Sequence, residues 1–436
     1  MNFISKYKQQ PGSSGIKRPN TWHYLKITLL VFGIAGLWQS MHSLILPLRI
    51  LDFVPEAQKN TYLGLLTFSG LIIAMLVQPI AGAISDRSTL GWGRRRPFIF
   101  TGILAIVVLL PIIGAATSFT LLFIGYCLLQ LASNTAQGPY QAFIPETVPR
   151  HSRGRASGIK SLLEILGAGA LLFPVSRLMD NYAKTADGSW LWIALLMLGS
   201  ACMLFMLFTV ISVKEPRPEK PLKTDVLPGW IKSFSIDIKS NRPFMWFLIS
   251  RLAVFMGLAT VQQFALYFFR DVAGVPEPAR ATTNFLAISI VFMLIAVLPA
   301  GYFSDRIGRK SIAICSAFCG AIGILVILIN QSFPALMLAA SILGLSLGAF
   351  TSTNWALATD LVARGEEAKY LGIANMATAG GGALARLIGP VIDYFNQILP
   401  NLGYFVMLGA CMAYFIAGGL ILFKVKVPRF GNGTEE

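Results

Sequence analysis

Charge is scarce in this sequence. Only 13% of its 436 residues are Asp, Glu, Lys or Arg, roughly half the share usual in a soluble globular domain. Histidine is rarer still: there are three, with no pair at metal-ligand spacing. The five cysteines, Cys127, Cys202, Cys315, Cys319 and Cys411, all sit in apolar segments. That excludes a disulfide scaffold and a thiolate metal site, and reads as buried free thiols. No Gly-rich phosphate loop of the Walker type occurs, so nothing points to ATP as an energy source. We expect no enzyme activity, no metal and no cofactor.

What the sequence has is hydrocarbon. Apolar residues make up 55% of it, alongside 40 glycines, and they form runs long enough to cross a bilayer, about 20 residues each. Such runs predict helices near 25–50, 61–85, 97–117, 119–143, 156–177 and 190–213. Six more are predicted near 243–270, 279–303, 311–330, 334–360, 368–393 and 401–424. No short apolar segment with a small-residue cleavage site precedes the first, so no removable signal peptide is expected. The chain is expected to be an all-α, multi-pass membrane protein with twelve transmembrane helices.

The net charge of +16 is a topology signal, not a nucleic-acid footprint. Of the 36 Lys and Arg, 28 fall in the two tails, the even-to-odd loops and the span ends beside them. Six fall on the other face: Arg49, Lys59, Arg177, Lys184, Arg270 and Arg280. Two, Arg251 and Arg386, lie within spans. By the positive-inside rule both termini are expected in the cytoplasm, in a plasma-membrane protein that acts as a monomer and binds no nucleic acid.

The spans fall into two sets of six. Expected boundaries are a tail at 1–24, an N-terminal half at 25–213, a central loop at 214–242, a C-terminal half at 243–424 and a tail at 425–436. Trp230, Ile231, Phe234 and Ile238 in the central loop have helical spacing, which predicts an amphipathic helix on the membrane surface. The halves also repeat. Gly82, Asp86, Arg87, Gly93 and Arg94 after helix 2 match Gly301, Asp305, Arg306, Gly308 and Arg309 after helix 8. Glu146 with Gly158 and Asp360 with Gly372 share a second spacing, and the offsets are 219 and 214 residues. Parallel six-helix repeats of this kind rock about a site near the bilayer midplane in many secondary transporters.

The loop Gly-x-x-x-Asp-Arg followed by Gly-Arg-Arg or Gly-Arg-Lys, present twice, resembles the signature of the major facilitator superfamily. Three segments carry a narrower likeness: LVQPIAGAISDRS at 76–88, GRRRPFI at 93–99 and SNTAQGPYQAF at 133–143. They resemble the plant sucrose transporters with their bacterial and animal relatives, within the cation-coupled glycoside, pentoside and hexuronide symporters. The resemblance implies Asp86, Arg87, Arg94, Arg95, Asp305, Arg306 and Arg309 as gating residues. This sequence departs from the sucrose transporters on helix 4. Gln130 stands where they carry an intramembrane Asp, and Gln141 where they carry a basic residue.

Polar residues inside the spans are the candidate site. Gln130, Asn134, Gln137 and Gln141 fall within about 60° of one another on helix 4. An amide facing lipid is costly, so the stripe is expected to line a cavity, with interhelical glue as the plainer alternative. Trp38, Gln39 and His42 on helix 1, Gln262 and Gln263 on helix 7, Asn354 and Trp355 on helix 10 and Asn375 on helix 11 could join it. Glu164, Arg251 and Arg386 are expected to be the buried ionisable groups. Glu164, Arg251 and His42 are the coupling candidates, with Glu164 pairing to Arg251 or Lys160 and Arg386 snorkelling outward. The expected function is secondary transport of a small polar solute, a glycoside or disaccharide, coupled to protons or another ion. The alternatives are a proton-coupled exporter of drugs or metabolites, and a carrier-fold assembly factor that transports nothing.

Overall fold

The computed structural model describes residues 21–149, 152–213, 215, 241–361 and 367–425. The expected surface helix at Trp230–Ile238, most of the central loop and nearly all of both tails lie outside the described residues. Among the described residues the protein is all-helical.

The N-terminal half holds helix 1 (Trp22–Leu51), helix 2 (Lys59–Asp86), helix 3 (Arg96–Ala115), helix 4 (Phe119–Gln141), helix 5 (Arg153–Thr185) and helix 6 (Gly188–Ser212). The C-terminal half holds helix 7 (Arg242–Asp271), helix 8 (Pro278–Ile307), helix 9 (Arg309–Ile329), helix 10 (Phe333–Asp360), a divided helix 11 and helix 12 (Leu402–Leu422). Eleven of the twelve are long and apolar enough to cross a bilayer. The exception is helix 11, which runs over Glu367–Arg386, stops, and resumes over Gly389–Ile398. Its break has a local cause. Pro390 has no N–H to give to the carbonyl of Arg386 four residues back, and its ring crowds that carbonyl.

Helix 1 is interrupted more gently. Pro47 cannot donate to Ser43, and Met41–Ile45 widens into a π turn in which the Leu46 N–H reaches back to Met41. The turn contains His42 and Ser43.

Consecutive spans alternate direction, which defines two faces. The basic face carries the 2/3, 4/5, 8/9 and 10/11 loops and both ends of the described chain. The far face carries the 1/2, 3/4, 5/6, 7/8, 9/10 and 11/12 loops. Hydrogen bonds and ion pairs joining the halves cluster at the far face. Tyr267 donates to Pro47 O at 2.8 Å, Lys59 pairs with Asp271 at 2.5 Å, and Lys184 with Glu277 at 2.8 Å.

Candidate functional site: the cavity between the halves

A cavity of about 300 Å³ lies between the halves. Trp38, Gln39, His42, Ser43 and Glu164 line it from helices 1 and 5, and Gln262, Gln263 and Arg386 from helices 7 and 11. That volume is at the low end for a ligand pocket, which suits a small solute. A larger groove of about 640 Å³ opens between helices 3 and 6, but it is lined almost wholly by apolar side chains such as Leu110, Leu195 and Leu204. It offers little to a polar ligand.

The helix 1 wall is held by helix 4. Trp38 Nε1 donates to Ser133 Oγ at 2.8 Å, and the indole stacks on His42 with ring centres 5.2 Å apart. His42 Nε2 is 3.0 Å from the Tyr126 hydroxyl, which also accepts from Gln130 Nε2 at 2.9 Å. Tyr126 is fully buried across helix 2, where a Cβ on residue 70 would stand 2.3 Å from its ring. Only glycine leaves room there.

The opposite wall has spare donors. Gln263 is 6% exposed and its Nε2 has no partner among the described residues. Arg386 donates through Nη1 to Gly382 O, one turn back, while its Nε is buried and unpaired. Both residues line the cavity, and each carries a buried donor without a partner among the described residues.

The family model described as MFS/sugar transport protein matches residues 57–401. The chain belongs to the MFS/sugar transport protein family. It is 33% identical to the rice (Oryza sativa subsp. japonica) sucrose transport protein SUT1 over 112 residues, 21% of each chain. It is 28% identical to the Bacillus subtilis (strain 168) minor myo-inositol transporter IolF over 103 residues, 24% of each chain. With the human solute carrier family 45 member 4 it shares 28% over 176 residues, 37% of this chain and 22% of that one. These matches span about a fifth to a quarter of the relatives' own lengths. The fold is that of the nucleoside transporter NupG, with TM-score 0.70, 16% identity and coverage of 92% of this chain and 99% of that one. It is equally that of a D-xylose–proton symporter, with TM-score 0.69, 18% identity and coverage of 94% and 98%.

In this MFS protein none of the four helix 4 amides is among the residues lining that cavity. Asn134 Nδ2 donates to Gln130 O at 2.8 Å and Gln130 Oε1 at 3.1 Å, and Gln137 Nε2 to Ser133 Oγ at 2.8 Å. Gln141 is exposed. Gln130 and Gln137 support the helix 1 rings indirectly, through Tyr126 to His42 and through Ser133 to Trp38.

Arg251 also departs from expectation. It is 2% exposed, donates to Thr378 Oγ1 at 2.8 Å and to Asn354 Oδ1, and lies over the rings of Phe255 and Trp355. It knits helices 7, 10 and 11 together and makes no ion pair with Glu164 among the described residues. Neither Asn354 nor Trp355 lines the cavity. Glu164, expected to be buried, is exposed along the cavity, and Asn375 is exposed too. Arg386 does not snorkel: the helix break turns it into the cavity. Sequence reasoning missed the buried charges Arg49, Lys59, Asp180 and Asp393, because groups near span ends read as loop residues.

The basic-face arginines tie elements within each half. Arg95 joins Asp86 and Glu146, Arg94 donates to Glu146 at 2.8 Å, and Arg309 joins Asp360 and, at 3.4 Å, Asp305. Burial opposes the Arg95 charge, yet hydrogen bonding and attraction from Glu146 and Asp86 raise its pKa above the ordinary value. Arg306 packs on its own helix, 4.4 Å from the Tyr302 ring centre, and Arg87 is exposed at the end of helix 2. Glu215 was not anticipated. Its carboxylate accepts from the N–H groups of Arg94, Arg95 and Arg96, capping helix 3. Gly344–Gly348 spells Gly-x-Ser-x-Gly, but Ser346 is buried mid-helix and donates to Ser316 O at 2.7 Å, so it is no nucleophile elbow.

Proposed function

We propose that this protein carries a small uncharged polar solute, a glycoside or disaccharide, through the cavity between its halves by alternating access. The observation that carries this reading is the lining: Trp38, Gln39 and His42 meet Gln262 and Gln263 across one space. Amides both donate and accept, as hydroxyls do, and the indole and imidazole give a sugar ring an apolar wall. The sucrose and myo-inositol transport named for the relatives supports the same class of cargo. Closure at the far face, where Lys59–Asp271 and Lys184–Glu277 join the halves, supports a state accessible from one side. We read the basic face as cytoplasmic.

Glu164 is the one carboxylate lining the cavity, and we take it as the proton carrier. The test is uptake of labelled sucrose or maltose into vesicles holding the purified protein, with and without a pH gradient. Sugars should compete, whereas organic anions and cationic dyes should not. Glu164→Gln should abolish accumulation driven by the pH gradient and retain downhill exchange. Accumulation in the mutant that still follows the gradient would assign Glu164 a structural role.

Arg386 favours a second reading, an anionic cargo, because it is the one cation lining the cavity. Competition by anions alone would select it. Absence of any flux would favour an assembly protein on a carrier fold.

A further inference from the structure

Two buried carboxylates close the far face in the same way. Asp393, beyond the break in helix 11, accepts from the Asn60 N–H through Oδ1 at 3.3 Å and from the Thr61 N–H through Oδ2 at 2.6 Å. Its Oδ1 also accepts from Asn60 Nδ2 at 2.8 Å. Asp180, near the end of helix 5, accepts from the Ala279 N–H through Oδ1 and from the Arg280 N–H through Oδ2, both at 2.9 Å. The two aspartates are 4% and 3% exposed.

The donors correspond residue for residue. Asn60 and Thr61 map onto Ala279 and Arg280 under the offset of 219 that relates Asp86 to Asp305. The acceptors are 213 apart, one short of the offset between Glu146 and Asp360, and helix 11 is broken just before Asp393. Each aspartate belongs to one half and caps the first turn of a helix in the other. First-turn N–H groups have no acceptor within their own helix, and the positive end of the helix dipole favours a carboxylate. Separation of the halves at the far face must break both caps together.

The other ties across this face lack the symmetry. Lys59 pairs with Asp271, but the residue 219 further on is Pro278. Lys184–Glu277 and Arg270–Glu56 have exposed partners, where water screens the attraction.

We propose that Asp180 and Asp393 are a symmetry-related pair of positioning residues that set the equilibrium between far-closed and far-open states. The inference rests on the alternating-access reading above and adds which groups hold one of its two states. Asp180→Asn and Asp393→Asn each keep the side-chain shape, but turn an amide donor toward one of the two N–H groups.

The test needs no substrate. Spin labels at Gly188 and Leu399, exposed far-face positions on opposite halves, report separation of that face in a background whose native cysteines are replaced by serine. Each Asn variant should raise the ratio of far-open to far-closed molecules by about fivefold or more, and the double variant should multiply the two effects. Thr61→Pro and Arg280→Pro delete one donor each at first-turn positions that tolerate proline. They should shift the ratio the same way should an Asn variant fail to fold. Opening seen in the wild type but unchanged in folded variants overturns the pair and spares alternating access. A far face closed in every variant, the double included, overturns both.

Discussion

Gly64 lies directly under the carbonyl of Arg386, so close that a Cβ on residue 64 would stand 2.2 Å from that oxygen. Pro390 frees the carbonyl by breaking helix 11, and the bare glycine of helix 2 receives it from the other half. Gly64→Ala must push the two helices apart. We expect it to destabilise the protein by about 1–3 kcal/mol, as overpacking does. Thermal unfolding of the detergent-solubilised protein would show this as a lowered Tm, and a Tm at or above wild type would sink the idea.

Tyr126→Phe removes one hydroxyl that serves two partners, His42 and Gln130. Leaving buried polar atoms unpaired costs about 1–3 kcal/mol, and the loosened ring is His42, which lines the cavity. Apparent affinity for the labelled glucoside should fall about tenfold, with a smaller change in maximal rate. A mutant with intact affinity and halved rate would show that Tyr126 acts elsewhere in the cycle.

Asp86 binds Arg95, which also holds Glu146 and the carbonyl of Gly82. None of these residues lines the cavity. Asp86→Asn is therefore expected to slow transport far more than it weakens binding. The comparison of maximal rate with KM decides, since impaired binding at normal turnover would misassign the loop.

Glu277 joins the halves through Lys184, and hydrogen bonds from Lys184 and Arg280 lower its pKa below the ordinary glutamate value. A depressed carboxylate contributes stability that is complete above its unfolded pKa, about 4.3. The contribution is lost only as the pH falls through the lower folded value. The Glu277 contribution to the distance between labels at Gly188 and Leu399 should hold constant from pH 8 to about pH 5. Glu277→Gln should widen that distance far less than Asp180→Asn does, because the Glu277 side chain is 37% exposed whereas Asp180 is buried. A transition near neutral pH in the wild type that Glu277→Gln removes would contradict this sign.

Much of the fold was legible in the chain because hydrocarbon imposes it locally. Every backbone group in a bilayer must be satisfied within its own helix, so an apolar run near Leu402–Leu422 is a helix whatever surrounds it. The repeat was legible as well, in Asp86 with Asp305 and Glu146 with Asp360. Periodicity alone established that the helix 4 amides share one face.

Which helix that face meets was decided by packing. Gln130 reaches His42 through the Tyr126 hydroxyl and Gln137 reaches Trp38 through Ser133, and no spacing along helix 4 records where helix 1 lies. Asp180 and Asp393 are ordinary span-end acids in the sequence. Their partners are backbone N–H groups, which every residue but proline carries, so composition gives no sign of them until the two halves are brought face to face.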